Sequence, residues 1–227
     1  MTSICEYDKT RHKQDVVRAL RSAFAHNFRP FWENATGYGE AVLDLLDAAA
    51  DLKLVLIDER DGSAGGAIFC VAPLTIERAL CAASGMAVFT WRRLIGAVRM
   101  ETEAKNFERE LMRAYLPIFL RYPLHHPHYE IVLFAMESRM RGKGYGRLLM
   151  DEAVRRMRAR GADDISLLTD STMSWKFYAS YGFSRSHTHE LGDAYRRPLA
   201  SESEQAYIYN LSKNNKRENI HGKSNIP

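Results

Sequence analysis

Residues 131–149 read IVLFAMESRMRGKGYGRLL: an apolar run, then a turn with Gly142, Gly144 and Gly146, then the first turns of a helix. The helix continues through the apolar positions Leu149, Met150, Ala153, Val154 and Met157 at helical spacing, and Gly161 stops it after Arg160. Glycines let a backbone approach a ligand without interference from Cβ. The unpaired N–H groups at a helix start, at the positive end of its dipole, point at negative oxygens. Arg141, Lys143 and Arg147 add side-chain charge beside those donors, so the stretch predicts an anion site between a strand and a helix.

Three phosphate-binding patterns compete for this turn. A nucleoside triphosphatase loop needs Lys followed by Ser or Thr for magnesium, whereas Lys143 precedes Gly144. A dinucleotide fingerprint needs GxGxxG after a first strand, with an acid about 20 positions on. Here the spacing is GxGxG, past the middle of the chain. The third pattern takes Arg141, Gly144 and Gly146 as an R-x-x-G-x-G turn that holds the pyrophosphate of coenzyme A.

Working outward, the N-terminal part predicts helices over residues 11–28 and 38–50, then strands over 52–58 and 64–72 joined at Asp61-Gly62 as a hairpin. Residues 75–120 hold few turn residues and many helix formers, and predict an insertion of two or three helices, one of which ends near Pro117. A strand over 128–137 precedes the glycine turn. Beyond the long helix come a buried strand over 164–168, a short helix over 173–180 closed by Gly182, and strands over 183–189 and 205–211. Residues 1–211 therefore read as one α/β domain with an insertion, and 212–227, with almost nothing to bury, as a disordered tail.

Composition narrows the class. The chain has 227 residues, 46% of them hydrophobic and 26% charged, which suits a globular protein. Its net charge of +4 is too small to argue for a nucleic-acid or membrane-surface partner. That charge is local: eight basic and two acidic residues lie between Arg139 and Arg160, leaving the remainder slightly acidic. Cys5, Cys70 and Cys81 form no CxxC pair, so a reducing, cytoplasmic setting without disulfide or zinc is expected. No apolar stretch approaches the roughly 20 residues of a membrane span, and the N-terminus has no secretory pattern. His125, His126 and His128 cluster on a Pro-interrupted segment with no fixed carboxylate, a weak metal signal, and no metal is expected. His187 and His189 alternate on a strand and read as surface histidines or as a lining of the acceptor site.

The glycine turn and a second signature, Phe177-Tyr178 followed by Gly182-Phe183, resemble the GNAT superfamily of N-acetyltransferases. The resemblance is sharp over residues 129–183 and absent for the inserted helices. It implies a mixed central sheet of about six to seven strands flanked by helices, with the insertion between the third and fourth strands. It also implies acetyl-CoA as acyl donor, in a wedge where the fourth and fifth strands splay apart. Backbone of Phe134, Ala135 and Met136 would pair with the pantetheine, and the N–H of Met136 would serve as oxyanion donor. Arg141, Gly142, Lys143, Gly144, Tyr145, Gly146 and Arg147 would hold the pyrophosphate. Tyr178 matches the tyrosine that hydrogen-bonds the departing sulfur.

An acceptor amine must lose a proton before it attacks. Glu130 lies eleven residues before Arg141, the separation at which the histone acetyltransferase branch resembled by EIVLFA carries its general base. His128 and Glu137 are lesser candidates, and water chains replace such a base in many members. Two departures stand out: Ser138 where the family often has Pro, and Ser171 where it has Asn seven residues before the tyrosine. The second puts one side-chain contact to the cofactor in doubt. The resemblance implies an N-acetyltransferase acting on a small-molecule or peptide amine by direct attack in a ternary complex, as a monomer or homodimer. The alternatives are a catalytically silent CoA-binding sensor and a nucleic-acid binder that uses the loop arginines. The insertion is expected to roof or narrow the acceptor site, or to be a plain packing layer.

Overall fold

The computed structural model describes residues 2–73, 75–121, 129–191 and 204–213. In chain order the elements are β1 (Thr2–Glu6), α1 (Lys9–Ala23), α2 (Arg29–Asn34), β2 (Ala35–Thr36), α3 (Tyr38–Ala49), β3 (Leu52–Asp58) and β4 (Ser63–Val71). Then come α4 (Ile76–Leu94), β5 (Arg99–Met100), α5 (Thr102–Arg121) and β6 (Tyr129–Met136). A 3-10 turn at Ser138–Met140 leads to α6 (Tyr145–Ala159), β7 (Asp164–Asp170), α7 (Trp175–Tyr181), β8 (Ser184–Glu190) and β9 (Gln205–Ser212). The histidines of 125–128 and residues 214–227 of the expected tail lie outside the described residues.

Seven strands form one mixed sheet in the order β1-β3-β4-β6-β7-β9-β8. Among the described strands the parallel pair is β6 with β7. The expected mixed sheet flanked by helices is therefore present, and the insertion falls between its third and fourth strands. Two cores form on the two faces. Leu54, Leu56, Ile68 and Ile131 pack with Leu149, Met150 and Met157 of α6 on one face. Val16 and Leu20 of α1 and Leu43 of α3 pack on Val55, Phe69, Leu133 and Ala135 on the other.

Several boundaries differ from the sequence reading, each for a physical reason. The helix expected over 11–28 starts at Lys9, where Asp8 caps it by accepting from Thr10 N and Arg11 N at 2.8 and 3.0 Å. It stops at Ala23, and a separate helix, α2, begins with Pro30 in its first turn, where a missing N–H costs nothing. The edge strand β1 is too short to announce itself by alternation and is fixed by its ladder with β3. The insertion is not wholly helical: β5 pairs with β2, tying it to the N-terminal helices. Its second helix does not end near Pro117 but runs through it to Arg121. An internal proline costs ~3 kcal/mol. Burial of Tyr115 and Ile118, on either side of Pro117, against Leu191 and Ala206 offsets that cost. The first inserted helix is held to α3 by Arg92, which reaches Asp44 at 2.5 Å.

Candidate active site

The central strand changes face part-way along. Tyr129 and Ile131 point to the α6 side, but Leu133 and Ala135 point to the α1 side. The cause is a bulge: Phe69 of β4 pairs with Leu133 and Cys70 with Ile131, leaving Val132 as the extra residue. As a result Glu130 and Phe134, which strict alternation would place on one face, attend opposite faces.

The parallel ladder between β6 and β7 is short. It runs from Tyr129/Ile165 to Ile131/Leu167 and then stops, although both strands continue. Beyond it β6 keeps pairing with β4 up to Met136 opposite Gly66. Glu137 N–H bonds to Gly65 O at 2.9 Å. Successive residues in a strand direct their backbone groups to opposite sides, so the N–H groups of Met136 and Phe134 point away from β4, into the opening beside β7. The splay expected between the fourth and fifth strands is thus built into the sheet, with Met136 N–H on its edge.

That edge leads into the glycine turn. Gly142 and Gly144 have φ of 72° and 79°, left-handed values that L side chains seldom adopt, and a Cβ on either would meet nothing within 4 Å. Gly144 occupies the N-cap position of α6 and no side chain caps the helix. The N–H groups of Tyr145, Gly146 and Arg147 therefore have no intrahelical acceptor. A Cβ on Gly146 would lie 3.4 Å from Phe134 Cζ, so this helix start sits against the strand edge. Lys143 is exposed, and Arg147 lies with its guanidinium 5.2 Å from the Tyr181 ring centroid. Arg141 is anchored: its Nε donates to Met136 O at 3.0 Å and its Nη2 to Ser22 O at 2.8 Å. Its guanidinium is part of the fastening between α1 and the end of β6 and is not mobile charge.

Tyr178 sits on α7 against the same edge. Its ring lies 6.3 Å from Phe134 and 6.4 Å from Tyr209, and Phe177 stacks on Phe134 at 5.3 Å. Among the described residues the Tyr178 hydroxyl has no hydrogen-bond partner, and burial pushes its pKa above the usual phenol value. The Gly182-Phe183 pair explains itself here. Gly182 at φ 118° ends α7, Phe183 N bonds back to Tyr178 O at 3.0 Å, and the Phe183 ring buries in the core. The pair thus fixes the helix turn that carries Tyr178.

On the opposite face lies a cavity of about 480 Å³. Phe24, Phe28, Trp32 and Tyr38 wall one side, Met112 and Tyr115 of the insertion another, and Glu130, Val132, Leu168 and Asp170 the sheet side. Glu130 has no hydrogen bond or ion pair among the described residues, and desolvation raises its pKa. Glu137 is placed otherwise: Arg18 Nε reaches one of its oxygens at 2.6 Å and Arg139 Nε the other at 2.5 Å, so both are occupied. Ser171 does not stand free at the site either, since its Oγ accepts from Gln205 N at 3.1 Å and holds β9 in place. His187 and His189 stack on each other along β8 with 6.5 Å between ring centroids.

Residues 87–183 match the family model of the acetyltransferase (GNAT) family. Solved structures share the chain's fold at low identity. Ard1 from Thermoplasma volcanium is 17% identical, with 93% of this chain and 97% of that one covered at a TM-score of 0.53. The ribosomal-protein-S18-alanine N-acetyltransferase from Escherichia coli is 12% identical over 93% and 94% at 0.51. A GNAT-family acetyltransferase from Staphylococcus aureus Mu50 is 14% identical over 93% and 100% at 0.50. No curated protein matches the chain significantly.

The sequence reading missed Asp170, which is fully buried at the end of β7. It accepts from Tyr115 Oη at 2.9 Å and from Thr172 N and Oγ1 at 2.9 and 2.6 Å. An acid closing the apolar run DISLLTD was its only signal. Thr169, beyond the last β6–β7 pair, buries a hydroxyl without a hydrogen-bond partner among the described residues. The aromatic wall was legible only as composition in HNFRPFWENATGY, residues 26–38. No described helix is long and apolar enough to cross a membrane. Among the described residues no group of three or more His, Cys, Asp or Glu side chains is arranged for a metal ion.

Proposed function

We propose that this protein transfers an acetyl group from acetyl-CoA to a primary amine by direct attack in a ternary complex. The observation that carries the reading is the opening between β6 and β7. An uncapped helix start and Tyr178 lie on one face of it, and on the other lies a cavity holding Glu130, which has no partner among the described residues.

Each group has a task in that scheme. The N–H groups of α6's first turn and of the glycine turn hold the pyrophosphate, and the free edge of Phe134 and Met136 pairs with the pantetheine amides as an added strand would. Met136 N–H donates to the thioester oxygen as negative charge grows there; losing such a donor costs ~3 to 4 kcal/mol of transition-state stabilisation. Glu130 takes up the proton of the incoming ammonium through water, since six strand residues, on the order of 20 Å, separate it from Met136. Burial favours the neutral forms of both partners, raising the acid and lowering the amine, so the transfer becomes easier inside the cavity than in water. The neutral amine then forms the C–N bond, the C–S bond breaks, and the second amine proton ends on the thiol.

Tyr178 donates a hydrogen bond to the departing sulfur. Ordinary values of about 10 for a phenol and about 8.5 for a thiol already make full proton transfer uphill by ~2 kcal/mol. Burial of Tyr178 widens that gap, so its role is the hydrogen bond and not net proton donation. A covalent cysteine route finds no support: Cys70 is buried with its thiol pushed up to about 12, and Cys5 and Cys81 lie outside the opening.

The test is acetyl-CoA-dependent thiol release across a panel of amines, with the acetylated product identified by mass spectrometry. Tight acetyl-CoA binding without thiol release from any amine would make the protein a CoA-binding module instead.

A further inference from the structure

Resting on the transferase reading, we infer that the acceptor is a monocationic primary amine carried on an apolar body of one or two rings, seated in the cavity opposite the glycine turn. Three observations converge on this. The first is size: about 480 Å³ lies within the range of pockets that enclose small molecules. It far exceeds what a short methylamine or a bare lysine tip fills.

The second is the wall. Phe24 and Phe28 cap the facing ends of α1 and α2, Trp32 lies in α2 and Tyr38 begins α3, while Met112 and Tyr115 come from the insertion, so rings and a thioether meet the ligand on two sides. Phe28, Phe31 and Tyr38 are themselves locked by stacking, with 4.1 Å between the Phe31 and Tyr38 centroids. A fixed aromatic wall rewards a flat apolar body. The hydroxyls of an amino sugar would lose water against it without gaining partners.

The third is charge. Among the described lining residues there is no Lys, Arg or His, and the acids are Glu130 and Asp170. Asp170 spends its oxygens on Tyr115 and Thr172, whereas Glu130 has no partner among the described residues. One free carboxylate matches one ammonium; a polyamine would bury a second cation with nothing to face it. Glu130 lies in the paired stretch of β6, one residue before the last β6–β7 pair, so an ammonium drawn to it sits beside the start of the opening while the apolar body stays among the rings. The insertion then acts as the specificity wall of the acceptor site, through α5.

The experiment measures thiol release from acetyl-CoA with phenethylamine, tryptamine and cyclohexylethylamine against spermidine, glucosamine and a lysine-containing hexapeptide. The ring amines are expected to exceed each polar amine at least tenfold in kcat/KM. Equal or better use of a polar amine overturns the inference while leaving the transferase reading intact. Val132→Phe, which fills the sheet side of the cavity, should raise KM for phenethylamine at least tenfold with KM for acetyl-CoA unchanged, and an unchanged amine KM counts against the cavity. If that variant unfolds, Met112→Trp on the exposed helix tests the same space by the same criterion. If no amine releases thiol, the transferase reading fails, and calorimetry with phenethylamine decides the cavity. Binding that is lost in the filled variant supports it, and absence of binding overturns it.

Discussion

Gly146→Ala should leave the protein as stable as before or slightly more so, and yet cripple its grip on acetyl-CoA. Gly146 is in the first turn of α6 with ordinary helical φ, and an added Cβ would stand 3.4 Å from Phe134 Cζ, 3.9 Å from Met136 Cγ and 4.0 Å from Phe177 Cε2. These are packing distances, not clashes. Alanine is ~1 kcal/mol better than glycine in a helix interior; taking about half of that in a first turn, a chain of this size gains about 1–2 °C in Tm. Helical Cβ atoms tilt toward the N-terminus, so the methyl would stand over the free N–H groups. Losing one charge-assisted hydrogen bond, ~1.5–3 kcal/mol, weakens binding about ten- to a hundredfold. Gly144→Ala, in the same turn, gives the contrasting stability signature. With φ of 79° and nothing within 4 Å of its Cβ, it suffers only backbone strain of ~1–2 kcal/mol, about 2–8 °C in Tm, with the opposite sign. Thermal melts and calorimetric titration of both variants with acetyl-CoA make the assay. A Gly146→Ala protein that melts normally and binds acetyl-CoA within twofold of the wild type would refute the assignment of this helix start to the pyrophosphate.

Three further outcomes are expected. Tyr178→Phe should lower kcat about ten- to a hundredfold with KM for acetyl-CoA nearly unchanged, and unchanged turnover across pH removes the hydroxyl from the reaction. Glu130 has a raised folded-state pKa, so the stability it contributes is present below the ordinary carboxylate value and is lost as pH rises through the folded one. Melting curves should therefore show Glu130→Gln more stable than the wild type at pH 8 and converging with it near pH 4, while kcat/KM for the amine falls; equal melting temperatures at both pH values would contradict the burial argument. Tyr115→Phe removes the 2.9 Å hydrogen bond between the insertion and Asp170. It should cost ~1.5–3 kcal/mol by denaturant titration and raise KM for the amine before that for acetyl-CoA.

How much of the site could be read from sequence depends on whether a feature is local. The glycine turn, its basic neighbours and the Gly-Phe stop after Tyr178 are consequences of backbone geometry within a few residues. Left-handed φ at Gly144 and Gly182 is a requirement that only particular residue types meet cheaply, so these features stood in the sequence. The ends of α1 and α5 differ from the sequence expectation because the deciding factors are partly non-local. Pro117 should have ended its helix, and it does not because Tyr115 and Ile118 bury against Leu191 and Ala206 from the other end of the chain.

The sequence alone determined the sheet-and-helix class, the glycine turn and the identity of the candidate groups, because periodicity, glycine geometry and capping act over one or two turns of chain. The tertiary structure alone decided which face each group serves. The Val132 bulge turns Glu130 toward the cavity and Phe134 toward Tyr178, and a bulge exists only as a register between two strands. The same holds for the opening beside Met136, for the pairing that takes Glu137 and Arg141 out of circulation, and for the aromatic wall assembled from α1, α2, α3 and α5. Each is a relation between segments far apart in the chain, and such relations are set by packing and hydrogen bonding that no short stretch of residues carries by itself.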